Sequence, residues 1–306
     1  MSILVSRDTV VDGLVVVISN RAAAPLEVML RGPGHGAGAL LHVVRGVSTE
    51  RERPLPRLVR DVIADPTLLT PRFQPILSLE SGQIVGFEAL ARVRPDLDHA
   101  PINLFREARA SGVGPQIEAL AIQRALDVAT TAGLPPDVFL SVNVSPLVLD
   151  HPALWVALRE RDLRQVVIEL TEDDAVDDYR LLRRAMRRYL ARGARFAIDD
   201  TGAGFASMRH LTELWPAFFK LDAMLTHRLG RDERRQALVR ALAMLARDVG
   251  AILVVEGVER PSDLAHLART GLPLLVQGYA IARPGLPWPT MSRSAERSIR
   301  NAVGTA

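Results

Sequence analysis

The chain has 306 residues, 48% of them hydrophobic and 24% charged, with a formal net charge of +3 and no cysteine. That length allows one barrel-sized domain or two ordinary ones, and the composition is that of a globular protein; it excludes disulfides, thiolate metal sites and a cysteine nucleophile, and the small net charge gives no argument for a DNA or RNA partner. No apolar run reaches the roughly 18–20 residues of a membrane span, and the opening stretch MSILVSRDTV lacks the basic and long apolar regions of a secretory signal, so a cytoplasmic protein without membrane contact is expected.

Residues 1–65 read as a small β-rich appendage. VVDGLVVVIS, LEVMLRG and ALLHVVRGV are three apolar runs separated by turn residues, and LPRLVRDVIA follows with helical spacing. The glycine-rich GPGHGAG lacks the Lys-Ser/Thr ending of a phosphate loop and is better read as a turn between two strands. Pro54, Pro56, Pro66 and Pro71 punctuate what comes next. They suggest an appendage over 1–65, a main domain over 66–290 and a C-terminal tail over 291–306.

From Phe73 the pattern becomes regular. FQPILSL and IVGFEALARV are separated only by ESGQ, too short for a crossover helix, so they should pair antiparallel. FLSVNVS, VVIELTE, RFAIDD, FFKLD, AILVVEGVE and LLVQGYAIA complete eight predicted strands. Segments with helical spacing lie between most of them and stop at glycines; Ser145 before Pro146 reads as one helix N-cap. The alternation predicts an α/β fold, a modified (β/α)8 TIM-like barrel with an antiparallel first strand and chemistry at the C-terminal strand ends.

Those strand ends deliver polar residues: Glu88, Asn143, Glu169, Asp199, Asp200, Asp222 and Glu256. In RFAIDDTGAGF the strand closes on two adjacent carboxylates and then turns at Gly202 and Gly204. Any one acid can be a helix cap or a surface ion pair. A converging set repels itself and needs cations, because a buried unpaired carboxylate costs several kcal/mol. An all-oxygen donor set without histidine suits Mg²⁺ or Mn²⁺, and adjacent aspartates can bridge two ions, which suits in-line attack of water on a phosphodiester. Lys220 is the only lysine in the chain. Arginine keeps its proton in proteins and lysine can lose it, so a lone lysine in an apolar strand is a candidate for chemistry, the alternative being an ammonium that snorkels to solvent.

Taken together, EALAR, SVNVSP, IELTE, AIDDTGAGF, FFKLD, VVEGVE and VQGYAIARP closely resemble, in order and spacing, the EAL domain family of cyclic di-GMP phosphodiesterases. The resemblance covers residues 73–284 and implies metal ligation by Glu88, Asn143, Glu169, Asp199 and Asp200, with Asp222 supporting the metal centre. It further implies that Lys220 and Glu256, beside Asp200, handle the attacking water, and that Arg92, Gln277, Gln74 and Leu90 contact the dinucleotide. Glu172 resembles the glutamate that props the loop after the paired aspartates, and Glu259 completes the EGVE motif. The loop departs from the family's usual DDFGTG: Thr201 stands for an aromatic residue and Ala203 for a hydroxyl residue, which removes packing and a hydrogen-bond partner for Glu172.

The implied activity is hydrolysis of cyclic di-GMP to linear pGpG with two divalent ions, in a homodimer whose residues 1–65 offer a surface to a signalling partner. Two alternatives stay open. One is a catalytically impaired receptor or interaction module for the same nucleotide, which the altered loop favours. The other is a barrel enzyme that uses Mg²⁺ and a lysine base to abstract a proton next to a carboxylate, which the layout permits and the seven motifs do not favour.

Overall fold

The structure is a computed structural model that describes residues 55–94, 100–171, 176–201 and 205–303, with the backbone alone at 200, 201, 205–208 and 303. The three apolar runs and the GPGHGAG turn expected near the N-terminus lie outside the described residues, as does Glu172. Eight strands close into a barrel in chain order. They are β1 (Arg72–Ser78), β2 (Ile84–Leu90), β3 (Phe139–Val144), β4 (Val166–Leu170), β5 (Arg195–Thr201), β6 (Phe218–Leu221), β7 (Ile252–Val255) and β8 (Leu275–Gln277). β1 runs antiparallel to both β2 and β8, as the four-residue ESGQ connection requires, and every other neighbouring pair is parallel.

Strand side chains alternate between two faces, so each strand splits into an inward and an outward set. Outward residues such as Phe196, Ile198, Phe219 and Leu221 are buried under the helices. Inward residues Ile76, Phe139, Val167, Ala197, Phe218, Val254 and Leu275 fill the barrel as a separate apolar cluster. Phe139 fits because its neighbour on β2 is Gly86: a Cβ there would stand 2.5 Å from the ring. One turn of pleat further toward the C-terminal ends, the inward positions become charged, and that is where the site lies.

The helices are α1 (Arg57–Ala64), α2 (Pro101–Ala110), α3 (Gly114–Thr131), α4 (Pro152–Leu158), α5 (Tyr179–Leu190), α6 (Phe205–Leu214), α7 (Ala223–Thr226), α8 (Glu233–Asp248), α9 (Pro261–Arg269) and α10 (Arg293–Val303). α5 shows why such segments fold: Tyr179, Leu182, Ala185, Met186 and Tyr189 make one buried stripe, and the Asp178 carboxylate accepts from the N–H groups of Arg180 and Leu181. α1, expected to belong with the N-terminal appendage, buries Leu58, Val59 and Val62 against Val93, Leu104, Ala108 and Ile117. α10, in the stretch expected to be a tail, packs on α9 with Ala295 and Ile299 buried. No helix among the described residues is long and apolar enough to cross a membrane.

The Ser145 expectation is corrected. Ser145 Oγ accepts from Leu147 N at 3.2 Å and closes a turn, and the helix starts only at Pro152, where His151 Nδ1 accepts from Ala153 N at 3.1 Å. The Ser145 N–H is held by buried Glu118 on α3, Oε2 at 3.0 Å, so a contact distant in sequence sets the chain's direction after β3.

Candidate active site

The site is built around Lys220. In FFKL the alternation sends Phe219 and Leu221 out to the helices and Lys220 into the barrel, where it is 1% exposed. Its Nζ lies 2.7 Å from Glu169 Oε2, 2.7 Å from Glu256 Oε1, 3.0 Å from Asp199 Oδ1 and 3.7 Å from Glu88 Oε2. Four carboxylates carried by β2, β4, β5 and the end of β7 therefore converge on one ammonium. Asn143 Nδ2 donates to Glu88 Oε1 at 2.9 Å, and Gln277 Nε2 donates to Glu88 Oε2 at 2.6 Å and to Gln74 Oε1 at 3.1 Å. Gln74 in turn donates to the Ala282 carbonyl at 3.3 Å, joining β1 to the segment after β8.

Electrostatics show how much charge this cluster leaves uncompensated. Burial pushes the Glu169 carboxyl up to about 8, against the pull of the Lys220 ammonium, and the charges of Glu88 and Asp199 add to the push. Burial likewise drives Glu256 well above the usual carboxylate range, opposed by Lys220 and reinforced by Asp199 and Glu88. For Lys220 burial works against the charge, but the carboxylates of Asp199, Glu169, Glu256 and Glu88 outweigh it and hold the ammonium well above its ordinary value. One positive charge faces four acids, and two of those acids answer by resisting ionisation.

That imbalance fits a divalent cation. The donors within reach are oxygens of Glu88, Glu169, Asp199 and the Asn143 amide, a hard set that selects Mg²⁺, Mn²⁺ or Ca²⁺ over zinc. Asp199 Oδ1 touches Lys220 without hydrogen-bond geometry and is otherwise buried without a donor, as is Gln277 Oε1. Among the described residues no three acidic or histidine side chains already form a metal-holding group. The Asp200 side chain lies outside the described atoms.

Other residues singled out by the sequence make local contacts of their own. Asp222 is the N-cap of α7, its Oδ1 accepting from Met224 N. Arg92, just past β2, donates to the neighbouring Ala91 carbonyl at 2.8 Å, and Leu90 ends β2 half-buried. Glu259 is exposed.

Three residues that the sequence did not single out hold the strand ends in place. Thr226 is 2% exposed, and its hydroxyl donates to the Glu256 carbonyl at 2.5 Å and reaches the Ala223 carbonyl at 3.1 Å. Gly257, at φ +62, lies so close to α7 that a Cβ would be 2.4 Å from the Ala223 Cβ. A Cβ on Gly278 would be 2.3 Å from the Val258 carbonyl oxygen, where Val258 N donates to Gln277 O at 3.0 Å and Ala280 N to Val258 O at 2.9 Å. In both places a glycine directly follows a strand-end polar residue, Glu256 and Gln277, and that repetition is the signal the sequence carries.

The model of one family, described as EAL domain, matches residues 60–284. The chain belongs to the EAL domain family. An uncharacterized signaling protein of Caulobacter vibrioides is 32% identical over 250 residues, covering 77% of this chain and 30% of that protein. The bifunctional diguanylate cyclase/cyclic di-GMP phosphodiesterase MucR of Pseudomonas aeruginosa is 28% identical over 223 residues, 69% of this chain and 32% of MucR. Among solved structures, BlrP1 of Klebsiella pneumoniae in a manganese and cyclic di-GMP complex superposes with a TM-score of 0.61 at 26% identity, covering 75% of this chain and 66% of that one. The chain spans about a third of the length of these two sequence relatives, so the comparison concerns the EAL barrel and not their other domains.

Proposed function

We propose that this EAL barrel hydrolyses cyclic di-GMP to linear pGpG, and the observation that carries the reading is the convergence of Glu88, Glu169, Asp199 and Glu256 on Lys220 at the C-terminal strand ends. Glu88, Asn143, Glu169, Asp199 and Asp200 would hold two divalent ions, Mg²⁺ or Mn²⁺, with Asp222 in support. Bound there, the ions supply Lewis acidity, lowering the pKa of water and neutralising charge at phosphorus.

The chain's own residues then divide the work. Lys220, kept protonated by its neighbours, acts as a fixed cation that donates a hydrogen bond to the attacking water and stabilises charge developing on phosphate oxygen. Glu256, 2.7 Å from that ammonium, accepts the water proton in its ionised form, its raised proton affinity favouring the transfer. The water oxygen bonds to phosphorus, one ester bond breaks, and the leaving ribose oxygen takes up a proton from solvent. Gln277 and Gln74, linked at 3.1 Å, would orient the dinucleotide together with Arg92 and Leu90. Glu172 and Glu259 complete the proposal as supports of the loop that follows Asp199 and Asp200, in a homodimer with residues 1–65 as its input segment.

The substitutions Thr201 and Ala203 in the DDTGAG loop favour one second reading, a barrel that binds the nucleotide without cleaving it. Incubation of the purified chain with cyclic di-GMP and Mn²⁺, with chromatography for pGpG, separates the two: release of product supports hydrolysis, and binding without release supports the receptor.

A further inference from the structure

The opposite, N-terminal end of the barrel carries a concavity of about 360 Å³, at the small end of the roughly 300–1,000 Å³ typical of ligand pockets. Its wall is largely apolar, formed by Val85, Val138, Phe139, Phe218, Ile252 and Leu275. Into it projects Arg195, the first residue of β5. The guanidinium carbon lies 5.0 Å from the Phe139 ring centroid and 5.1 Å from that of Phe218, and the two rings are themselves stacked at 5.1 Å. Such stacking fixes the cation in place.

What Arg195 lacks is an acceptor. Among the described residues its guanidinium has neither a hydrogen bond nor an ion pair, and burial pulls its pKa down with no carboxylate pulling the other way. The neighbouring polar groups are already engaged. Arg164 is spent on Asp162, with Nη2 2.6 Å from Oδ2 and Nε 3.0 Å from both oxygens. Gln165 Nε2 ties the adjoining turn, lying 2.8, 3.1 and 2.7 Å from the carbonyls of Pro135, Pro136 and Val138. The result is a largely apolar cup whose wall holds one cation with no protein acceptor. Asp137 stands exposed on the rim, which disfavours a polyanion such as a nucleotide.

We propose that this N-terminal mouth is a second ligand site, which takes a small organic anion whose carboxylate or phosphate oxygens pair with Arg195 while its apolar body lies against Ile252, Leu275 and Val85. The half-buried guanidinium has no protein acceptor, so an anion's oxygens would replace water with a charge-assisted pair, and a cation already held by two rings loses little freedom on binding. The site is separated from the carboxylate cluster by the Val167, Ala197 and Val254 layer, and the proposal does not rest on the hydrolytic reading.

The test is saturation-transfer NMR of the full chain with benzoate, phenyl phosphate and the uncharged benzyl alcohol as probes. The expected result is binding of at least one anion, with benzyl alcohol weaker by about tenfold or more, the usual worth of a hydrogen bond to a charged group. Arg195→Gln should lose the same factor. Ile252→Trp, a change at a 40% exposed position that fills the cup without touching Arg195, should abolish binding, while Glu88→Ala at the other end should leave it unchanged. The stronger of the two anions identifies the head group. Absence of transfer from both anions, equal binding of benzyl alcohol, or undiminished binding in Arg195→Gln or Ile252→Trp would overturn the proposal.

Discussion

Lys220 Nζ and Glu169 Oε2 meet at 2.7 Å with both side chains only 2% exposed, deep in the barrel mouth. A pair so placed has given up most of its hydration, and its mutual attraction repays that cost only while both partners are present. Lys220→Met should therefore remove turnover and, above pH 8 where Glu169 is ionised, destabilise the metal-free chain by about 3–5 kcal/mol, because the converging carboxylates are left without their cation. Thermal unfolding in EDTA measures it; a variant as stable as the parent would mean that the acids are already protonated.

Metal should reverse the same repulsion. A ligand that binds only the folded state stabilises by about 2.7 kcal/mol at one hundred times its dissociation constant. The pH dependence has a definite sign. Glu169 is raised in the fold from 4.5 to about 8, so its contribution is fully present below 4.5 and is lost as pH rises through 8. In EDTA the melting temperature should carry a falling component across that window, and Mn²⁺ should flatten it. A melting curve indifferent to Mn²⁺ at every pH would speak against a metal centre.

Gly278→Ala tests the scaffold. The new Cβ would sit 2.3 Å from the Val258 carbonyl oxygen, and the backbone that presents Gln277 must move. Overpacking of this kind costs about 1–3 kcal/mol. Steady-state kinetics should show a raised KM for cyclic di-GMP beside the lower melting temperature; an unchanged KM would separate Gln277 from substrate binding.

The barrel was legible because its strands are short apolar runs with one polar residue at the C-terminal end, and the brevity of ESGQ fixed the direction of β1. The cluster was legible for the same reason: register carries Glu88, Glu169, Asp199, Lys220 and Gln277 to one end whatever the helices do. Asp222 shows the limit. It ends a strand like the others, yet its carboxylate caps α7, and nothing in FFKLDAM separates those two uses. Ser145 looked like a helix cap because its neighbours are local, whereas Glu118, 27 residues away, decides its role. The appendage boundary followed prolines and so missed that Leu58, Val59 and Val62 on α1 pack against α2 and α3. Thr226 carries no sequence signal, since its work is a hydrogen bond to a backbone carbonyl 30 residues away.

The most direct test of hydrolysis is turnover of cyclic di-GMP with Mg²⁺ or Mn²⁺ by the purified chain and by Glu88→Ala, followed by chromatography. Glu88 accepts from Asn143 and Gln277 and lies 3.7 Å from Lys220, so its loss should disable the centre while the apolar barrel stays folded. The account predicts pGpG from the parent chain and a loss on the order of 100-fold or more in the variant. Equal turnover by both, or nucleotide binding without product from the parent, would contradict it.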